Sequence, residues 1–583
     1  MIGPMPAPAV SVEPTVPSVA IDPRTGRRLP AFMTFVLLYL AALILPLMHL
    51  SSRPAFDYNW EAYTTGDLVN FIANPTTDVL KINQGLMTTS GDSAPVVGPM
   101  WVTASTFGLS FGSMRLAMVL LATLAVPLTW LWGRFLYSDA VGLGAAVLVG
   151  TSQVFLLYAR TATSVGVSLF PAVLTFLVLW MVVRPEARRW WAWLIVLQLC
   201  LVANGYFYSP IRFLWPIALV LFAAELVFRS GQRRRFLLAL VVTAACLPLV
   251  LPYLMEGPSQ TIREAVTNYY KARAEQVVSM SESRDYLISF VQVHTGKTPE
   301  QLADESTGEL IQQLIQINLE DLGKILIDQD TRPAITDYWN PSGRLYDRVL
   351  VPFVALGALI LLVRVFRSAR SRYLLALAAG FSLPMVGTTN VHIGRLVFLV
   401  PIVAVLAMIP MQTVIDWLRR RPKIGKRQRI LTGVATVTCL AVAVLGAVPS
   451  LHDWFDTGFP PSRSAVVDTA MMNALRSGDH PQIAYVFGPD REWEVEQLRV
   501  ATLMLMQDGT TSYVDVTTGV VLGDGPILVF YHGMLDRLSE PDLIPGYCTN
   551  FYVVDNGYEQ AFLDVTSADA MAKCGKPLDY AAP

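Results

Sequence analysis

Charge is scarce in this sequence. Of 583 residues only 15% are Asp, Glu, Lys or Arg, against 53% apolar, and the mean hydropathy is +0.45. A chain so poor in charge cannot clothe a water-soluble globule, and its long, nearly charge-free runs mark a polytopic helical membrane protein. The net charge of −1 by itself argues nothing about nucleic acid, and no nucleic-acid partner is expected. Cysteine is also rare, at five residues, and histidine at six. Cys200, Cys246 and Cys439 fall in apolar runs, where a thiol acts as a small buried hydrophobe. No CxxC pair and no His-Cys cluster with metal-ligand spacing occurs, so neither a structural zinc nor an organic cofactor is expected. A divalent cation is conceivable but not indicated, because one acidic loop does not define a cation site. No internal repeat is found, either as a solenoid or as an inverted pair. The run Val36 to Leu50 is not followed by a small-residue cleavage site, so it reads as a retained first span.

What is present is organised by length. Runs of about 17–25 apolar residues, enough to cross a bilayer, start near residues 33, 113, 140, 162, 190, 210, 236, 348, 373, 396 and 430. That pattern predicts about eleven transmembrane helices. Basic residues give an independent test. Arg24, Arg27 and Arg28, Arg134, Arg184 with Arg188 and Arg189, Arg229 with Arg233 to Arg235, Arg364 to Arg372 and Arg419 to Arg429 occupy alternate connections. The positive-inside rule then predicts a cytoplasmic N-terminus and an extracytoplasmic C-terminus, in agreement with an odd span count. The expected organisation is a Pro-rich cytoplasmic tail over 1–32, a transmembrane domain over 33–449, and an extracytoplasmic α/β domain over 450–583. Two large outer loops, 51–112 and 256–347, interrupt the transmembrane part.

Within the central loop, helical periodicity is visible over Ile262 to Val278 and Glu309 to Ile327. In the tail, Ile483 to Phe487, Tyr513 to Val516, Ile527 to Tyr531 and Phe551 to Val554 read as strands, with a helix over Glu492 to Gln507. Cys548 and Cys574 are the two cysteines of this outer domain and are expected to form a disulfide, because the compartment it faces oxidises thiols.

Chemistry-bearing residues gather on the same predicted side. Just after the first span, Phe56-Asp57-Tyr58-Asn59-Trp60-Glu61-Ala62-Tyr63-Thr64-Thr65-Gly66-Asp67 interleaves three carboxylates with four aromatics. Asp57 and Glu61 are four apart, so a helical turn would put both on one face. Such acids could bind a cation, make a salt bridge or act as a general base; Asp67 is placed to cap a short helix. Arg160, Arg212 and Arg395 fall at outer span ends, with His392 beside Arg395. Singly each could snorkel to headgroups. Together they suggest a site for an anion such as a lipid phosphate. Tyr206, Tyr208 and Trp339 could wall that site or belong to the aromatic belt.

On these segments the chain resembles the polytopic lipid-sugar glycosyltransferases of the GT-C class, the bacterial relatives of the protein O-mannosyltransferases and of the lipid A aminoarabinose transferase. The likeness runs from Met33 to about Trp417 and rests on order and local pattern. Trp60-Glu61-Ala62 stands where the family has Asp-Glu-Ala. Phe111-Gly-Ser-Met-Arg115-Leu leads a span, Tyr158-Ala-Arg160 closes the next, and Asn204-Gly-Tyr-Phe-Tyr208-Ser-Pro-Ile-Arg212 follows. Asn340-Pro-Ser-Gly-Arg344 approaches a further span and Val391-His-Ile-Gly-Arg395-Leu opens another. The chain departs from the pattern at Trp60, which replaces the first acid, and at Ser93-Ala-Pro95-Val-Val-Gly-Pro99, which only approximates the family's Pro-Pro-Leu segment.

The resemblance implies an inverting transferase that moves a sugar from a polyprenyl phosphate to a protein, lipid or glycan hydroxyl outside the membrane. Glu61 would be the base, with Asp57 as its partner. Arg160, Arg212, His392 and Arg395 would hold the donor phosphate, and Trp60, Tyr206, Tyr208, Trp339 and Arg344 would line the substrate. A catalytically silent scaffold of an envelope assembly is the alternative.

Overall fold

The computed structural model describes residues 31–48, 50, 94–108, 111–187, 189–205, 207–254, isolated positions from 288 to 302, 305–328, 345–386, 393–419 and 428–456, together with five strands between 482 and 564. Among these residues the protein is a helical bundle. Helices occupy each of the eleven runs read from hydropathy. Five of them are long and apolar enough to cross a membrane, or six if one bent pair counts as a single span. The protein is a multi-pass membrane protein.

The chain enters through α1 (Ala31–Leu47), whose Tyr39 hydroxyl donates to Leu120 O at 2.9 Å. Next comes a helix that the hydropathy reading had placed in a loop, α2 (Ala94–Phe107). Its two prolines hid it, yet Val96, Val97 and Met100 are buried against Met114 and Met118 of α3 (Phe111–Ala122). The chain then runs through α4 (Ala125–Leu136) into α5 (Asp139–Thr151) and α6 (Gln153–Arg160).

The last two form one passage bent by 59°. Ser152 makes the bend: its extended backbone (φ −65°, ψ 130°) ends α5, and its N–H closes on Val149 O while its hydroxyl caps Phe155 N. A one-turn helix Ser164–Val167 leads into α7 (Leu169–Val183). Then follow α8 (Trp190–Asn204), a 3-10 turn Ser209–Phe213, α9 (Leu214–Phe228) and α10 (Arg233–Leu254).

Beyond the central loop helix α11 (Thr307–Gly323) lie α12 (Val351–Arg364), α13 (Ala369–Val386), a 3-10 turn Ile393–Leu396, α14 (Leu399–Arg419) and α15 (Gln428–Asp456). α11 matches the periodicity read over Glu309 to Ile327; the run Ile262 to Val278 lies outside the described residues.

An aromatic column ties the bundle together from rim to rim. Trp180 meets Tyr373 with centroids 5.4 Å apart, and the Trp132 indole N–H donates to the Tyr373 hydroxyl at 3.0 Å. Trp132 touches Phe176 (5.4 Å), Phe176 touches Phe381 (5.8 Å), Phe381 stacks on Phe398 (5.2 Å) and Phe398 on Tyr208 (6.4 Å). Buried Trp and Tyr need polar partners, and Tyr373 completes its own by donating to Phe176 O.

Near the inner rim, the one that the basic-residue pattern predicts to face the cytoplasm, a carboxylate is buried outright. Glu225 of α9 receives Arg372 Nε at 2.6 Å and Nη2 at 3.1 Å, and Arg229 Nε at 2.6 Å. The two guanidiniums also donate to backbone carbonyls, Arg372 to Val365 and Phe366, Arg229 to Val183. Several arginines that the positive-inside pattern treats as a topological signal therefore close off helix C-termini inside the protein.

In the tail, β1 (Gln482–Phe487), β2 (Ser512–Asp515), β3 (Ile527–His532), β4 (Asn550–Val554) and β5 (Tyr558–Asp564) form a mixed sheet of order β2-β1-β3-β5-β4. β1 is parallel to both neighbours, with Ile483 opposite Tyr513 and Leu528, whereas β5 is antiparallel to β3 and β4. Four strands lie where the sequence places them and β5 is an addition. The intervening helix read at Glu492 to Gln507, and Cys548 and Cys574, lie outside the described residues.

Candidate functional site

Charged and aromatic groups meet at the outer rim, the one that the basic-residue pattern predicts to face away from the cytoplasm. Three short segments form it: the end of α6, the 3-10 turn Ser209–Phe213, and the 3-10 turn Ile393–Leu396. They are separated by up to 235 positions in sequence, yet α6 packs against the turn that carries Arg395.

Local backbone chemistry explains why these segments are irregular. Thr161 and Thr163 bond each other through their hydroxyls at 3.1 Å, and Thr161 reaches back to Tyr158 O at 3.2 Å, which ends α6. The chain then reverses so tightly that a Cβ on Gly166 would stand 1.9 Å from Tyr158 O. Only glycine fits there. Ser168, fully buried, accepts the Tyr208 backbone N–H on its hydroxyl at 3.0 Å and so ties the start of α7 to the segment that follows α8. Pro210 opens the next turn, where Ile211 N–H closes on Tyr208 O at 3.0 Å.

Tyr208 is the meeting point. Its ring is buried and stacked on Phe398, its hydroxyl is bonded by the Arg395 side chain, and the Tyr158 hydroxyl lies within electrostatic reach. Burial pushes the Tyr208 hydroxyl above its ordinary value, and the Arg395 guanidinium beside it draws it partly back. The phenol therefore stays neutral and serves as an acceptor that orients the guanidinium. Arg212 lies one turn after Tyr208 and donates through Nη2 to Gly205 O at 3.2 Å. Residues 212 and 395, 183 positions apart, are thus carried by neighbouring segments of one rim.

Burial separates the arginines. Arg160 and Arg115 are each only 1% exposed, far too enclosed to snorkel, whereas Arg212 and Arg395 remain partly open. Arg115 of α3 was not among the expected site residues. It donates Nη1 to Leu50 O at 3.3 Å, at the point where the chain leaves α1 for the acidic segment. The signal was available, since Arg115 opens an apolar run just as Arg160 closes one. Tyr158 and Phe398, which frame Tyr208, were also missed as site residues, because each reads as ordinary core in an apolar run. Of the other expected site residues, Asp57, Trp60, Glu61, Tyr206, Trp339, Arg344 and His392 lie outside the described residues.

A partly exposed guanidinium held in place by a neutral phenol, with a second partly exposed arginine on the turn that follows that phenol, is suited to a tetrahedral oxyanion, which arginine can meet with two parallel N–H bonds.

No family model matches the chain, and no curated protein matches it. Among solved structures, the chain is similar to the oligosaccharyltransferase AglB of Archaeoglobus fulgidus in complex with an inhibitory peptide and a dolichol-phosphate. Identity is 12%, over 85% of this chain and 69% of that one, with a TM-score of 0.45. The apo oligosaccharyltransferase of the same organism gives 14% identity over 81% of this chain and 64% of its own, TM-score 0.47. ArnT of Cupriavidus metallidurans bound to undecaprenyl phosphate gives 14% identity over 92% of this chain and 99% of its own, TM-score 0.36.

Proposed function

We propose that this protein is an integral-membrane glycosyltransferase of the GT-C class that transfers a sugar from a polyprenyl-phosphate donor to an acceptor hydroxyl at the outer face of the membrane. The observation that carries the reading is Arg395 bonded to Tyr208, with Arg212 on the turn that follows Tyr208, at the rim where the acidic segment leaves the first helix. The ligands of two of the structures above, dolichol-phosphate and undecaprenyl phosphate, are of the class of the carrier lipid that the proposed reaction releases. At 12–14% identity and TM-scores below one half, they add no weight to it. The reading stands on the rim arginines and on the sequence pattern.

In the proposed reaction Glu61, with Asp57 as partner, takes the proton from the acceptor hydroxyl. The oxygen forms its bond to the anomeric carbon from one face while the bond to the phosphate oxygen breaks on the other, which inverts that centre. The electron pair leaves with the phosphate, and the polyprenyl phosphate so formed carries one more negative charge than the diester. Arg212 and Arg395 meet that charge where it develops, with His392 beside them and Arg160 behind. Trp60, Tyr206, Tyr208, Trp339 and Arg344 are assigned to the walls of the substrate site. A neighbouring carboxylate raises the affinity of one of the acidic pair for a proton and suits it to the role of base.

The experiment is sugar transfer by membranes from radiolabelled polyprenyl-phosphate sugars. Glu61→Gln keeps the volume and removes the basic oxygen, so turnover falls about 100-fold or more with donor binding retained. Arg395→Ala weakens donor binding itself. Because Trp60 stands where the family has an acid, a silent scaffold is the second reading. Wild-type protein that incorporates nothing from several donors would establish that reading instead. Near-normal turnover in Glu61→Gln alongside an inactive Asp57→Asn moves the base to Asp57.

A further inference from the structure

The helix α11 sits on the outer rim rather than in the bundle, and its surface has three different sides. One side is buried. Leu310 and Leu314 pack in a small cluster with Val291 and Leu302, while Leu322 and Ile325 join the main core. Fully buried Asn318 donates Nδ2 to Val386 O, the last residue of α13, at 3.1 Å. The Tyr346 hydroxyl donates to Leu326 O at 2.6 Å, just ahead of α12. The helix is therefore fixed against the end of α13 and the approach to α12.

Beside the buried side runs a second apolar row at four-residue spacing. Ile311, Ile315 and Leu319 are between 38 and 51% exposed. A third side carries Glu309, Gln312, Gln316 and Glu320, all open. Three large aliphatics in line on a water-facing helix would be an uncovered patch of the kind monomeric proteins avoid. The row has an apolar continuation. Leu383, one turn before Val386 on α13, is 64% exposed.

The geometry points to α11 as an interfacial helix: Ile311, Ile315 and Leu319 insert among the acyl chains of the outer leaflet, and the Glu309–Gln312–Gln316–Glu320 side faces water. The partner is a lipid surface. The helix Thr307–Gly323 contains no Lys or Arg, and the lysine that follows, Lys324, is paired with Asp321 at 3.2 Å. Attachment is therefore apolar and does not depend on anionic headgroups, unlike that of basic amphipathic helices.

The test uses the full chain in phosphatidylcholine vesicles, with a nitroxide coupled to a ketone-bearing amino acid placed in turn at positions 311, 315, 319, 312, 316 and 383. This coupling leaves the native cysteines untouched. At 311, 315 and 319, oxygen should relax the label more than a water-soluble nickel chelate does, at a depth of about 5–10 Å below the headgroup level. At 312 and 316 the order should reverse. A nickel chelate that reaches 315 as freely as 316 overturns the proposal in favour of a water-facing helix. Protection of 315 from both relaxants overturns it in favour of a covering protein surface. Position 383 reports whether α13 itself faces lipid, so failure of the helix placement is told apart from failure of the membrane placement. Neither readout depends on sugar transfer.

Discussion

At the scale of single residues, the outer rim and the inner rim use arginine in opposite ways. Arg395 and Arg212 keep part of their surface open and are steadied by a phenol and a backbone carbonyl. Arg372 and Arg229 instead surround Glu225, which has no exposed surface, and they spend their remaining donors on helix ends. A buried carboxylate between two guanidiniums is stable only as a complete set, since removing its charge leaves two desolvated cations facing each other. Glu225→Gln, nearly isosteric, should therefore lower stability by about 3–5 kcal/mol. Thermal unfolding of the purified protein in detergent measures this, and an unchanged midpoint would show the cluster to be dispensable. Sugar transfer per folded molecule should stay intact, because the cluster lies at the opposite rim from the proposed site.

At the scale of elements, two short features place the outer segments. The first is the reversal after α6, where Gly166 lies against Tyr158 O. Gly166→Ala must push the two backbones apart, at a cost of about 1–3 kcal/mol or more, and should displace Tyr158 and Arg160. Gly433→Ala is the matched control, for nothing lies within 4 Å of its added methyl, and it should be neutral or slightly stabilising. Equal loss of folded yield in both variants would refute the close-approach argument. The second feature is the capping box of α11, in which the Ser306 hydroxyl meets the Glu309 N–H and the Glu309 carboxylate meets the Ser306 N–H. Ser306→Ala should reduce hydrogen-exchange protection of the first turn roughly fivefold.

The bonds from the Ser306 backbone and then its side chain hold the Glu309 carboxyl below the usual glutamate range. A depressed folded value means that the stabilisation is fully present above the unfolded value. It is lost as pH falls below the ordinary glutamate range and through the folded value. The difference between wild type and Ser306→Ala should thus shrink on acidification to the part owed to the hydroxyl's bond from the Glu309 N–H, and a difference that does not change with pH would show that the hydroxyl's bond to the carboxylate contributes nothing.

At the scale of the whole molecule, the alternation of basic connections predicts an N-terminus in the cytoplasm and a C-terminus outside it. A reporter that fluoresces only in the cytoplasm should stay dark when fused at Pro583, and fluorescence there would reverse the orientation. The aromatic column from Trp180 to Tyr208 gives this scale its mechanical sense. It links the inner ends of α4, α7 and α13 to the residue that orients Arg395. The strand order β2-β1-β3-β5-β4 also belongs here, because the parallel pairings of β1 join segments far apart in the chain.

The sequence by itself determined what depends on local composition. Apolar run length decides which segments are helices in a membrane, and basic flanks order them, so the helical bundle was legible before any coordinates. The periodicity of α11 and four strands were legible for the same reason. The fifth strand, Tyr558–Asp564, was announced by Asn556-Gly557, a hairpin turn signal, but its mixed polar pattern concealed it. Helix α2 was concealed by Pro95 and Pro99, because its stability comes from packing on α3 rather than from its own propensity. Arg160, Arg212 and Arg395 stood out in the sequence, because a charge at a span end is conspicuous in a chain so short of charge. Only the tertiary structure decided their division of labour. Burial and contact are set by neighbours far away in sequence, and those neighbours enclose Arg115 and Arg160, leave Arg212 and Arg395 partly open, and bring the Tyr208 hydroxyl to Arg395 across 187 positions.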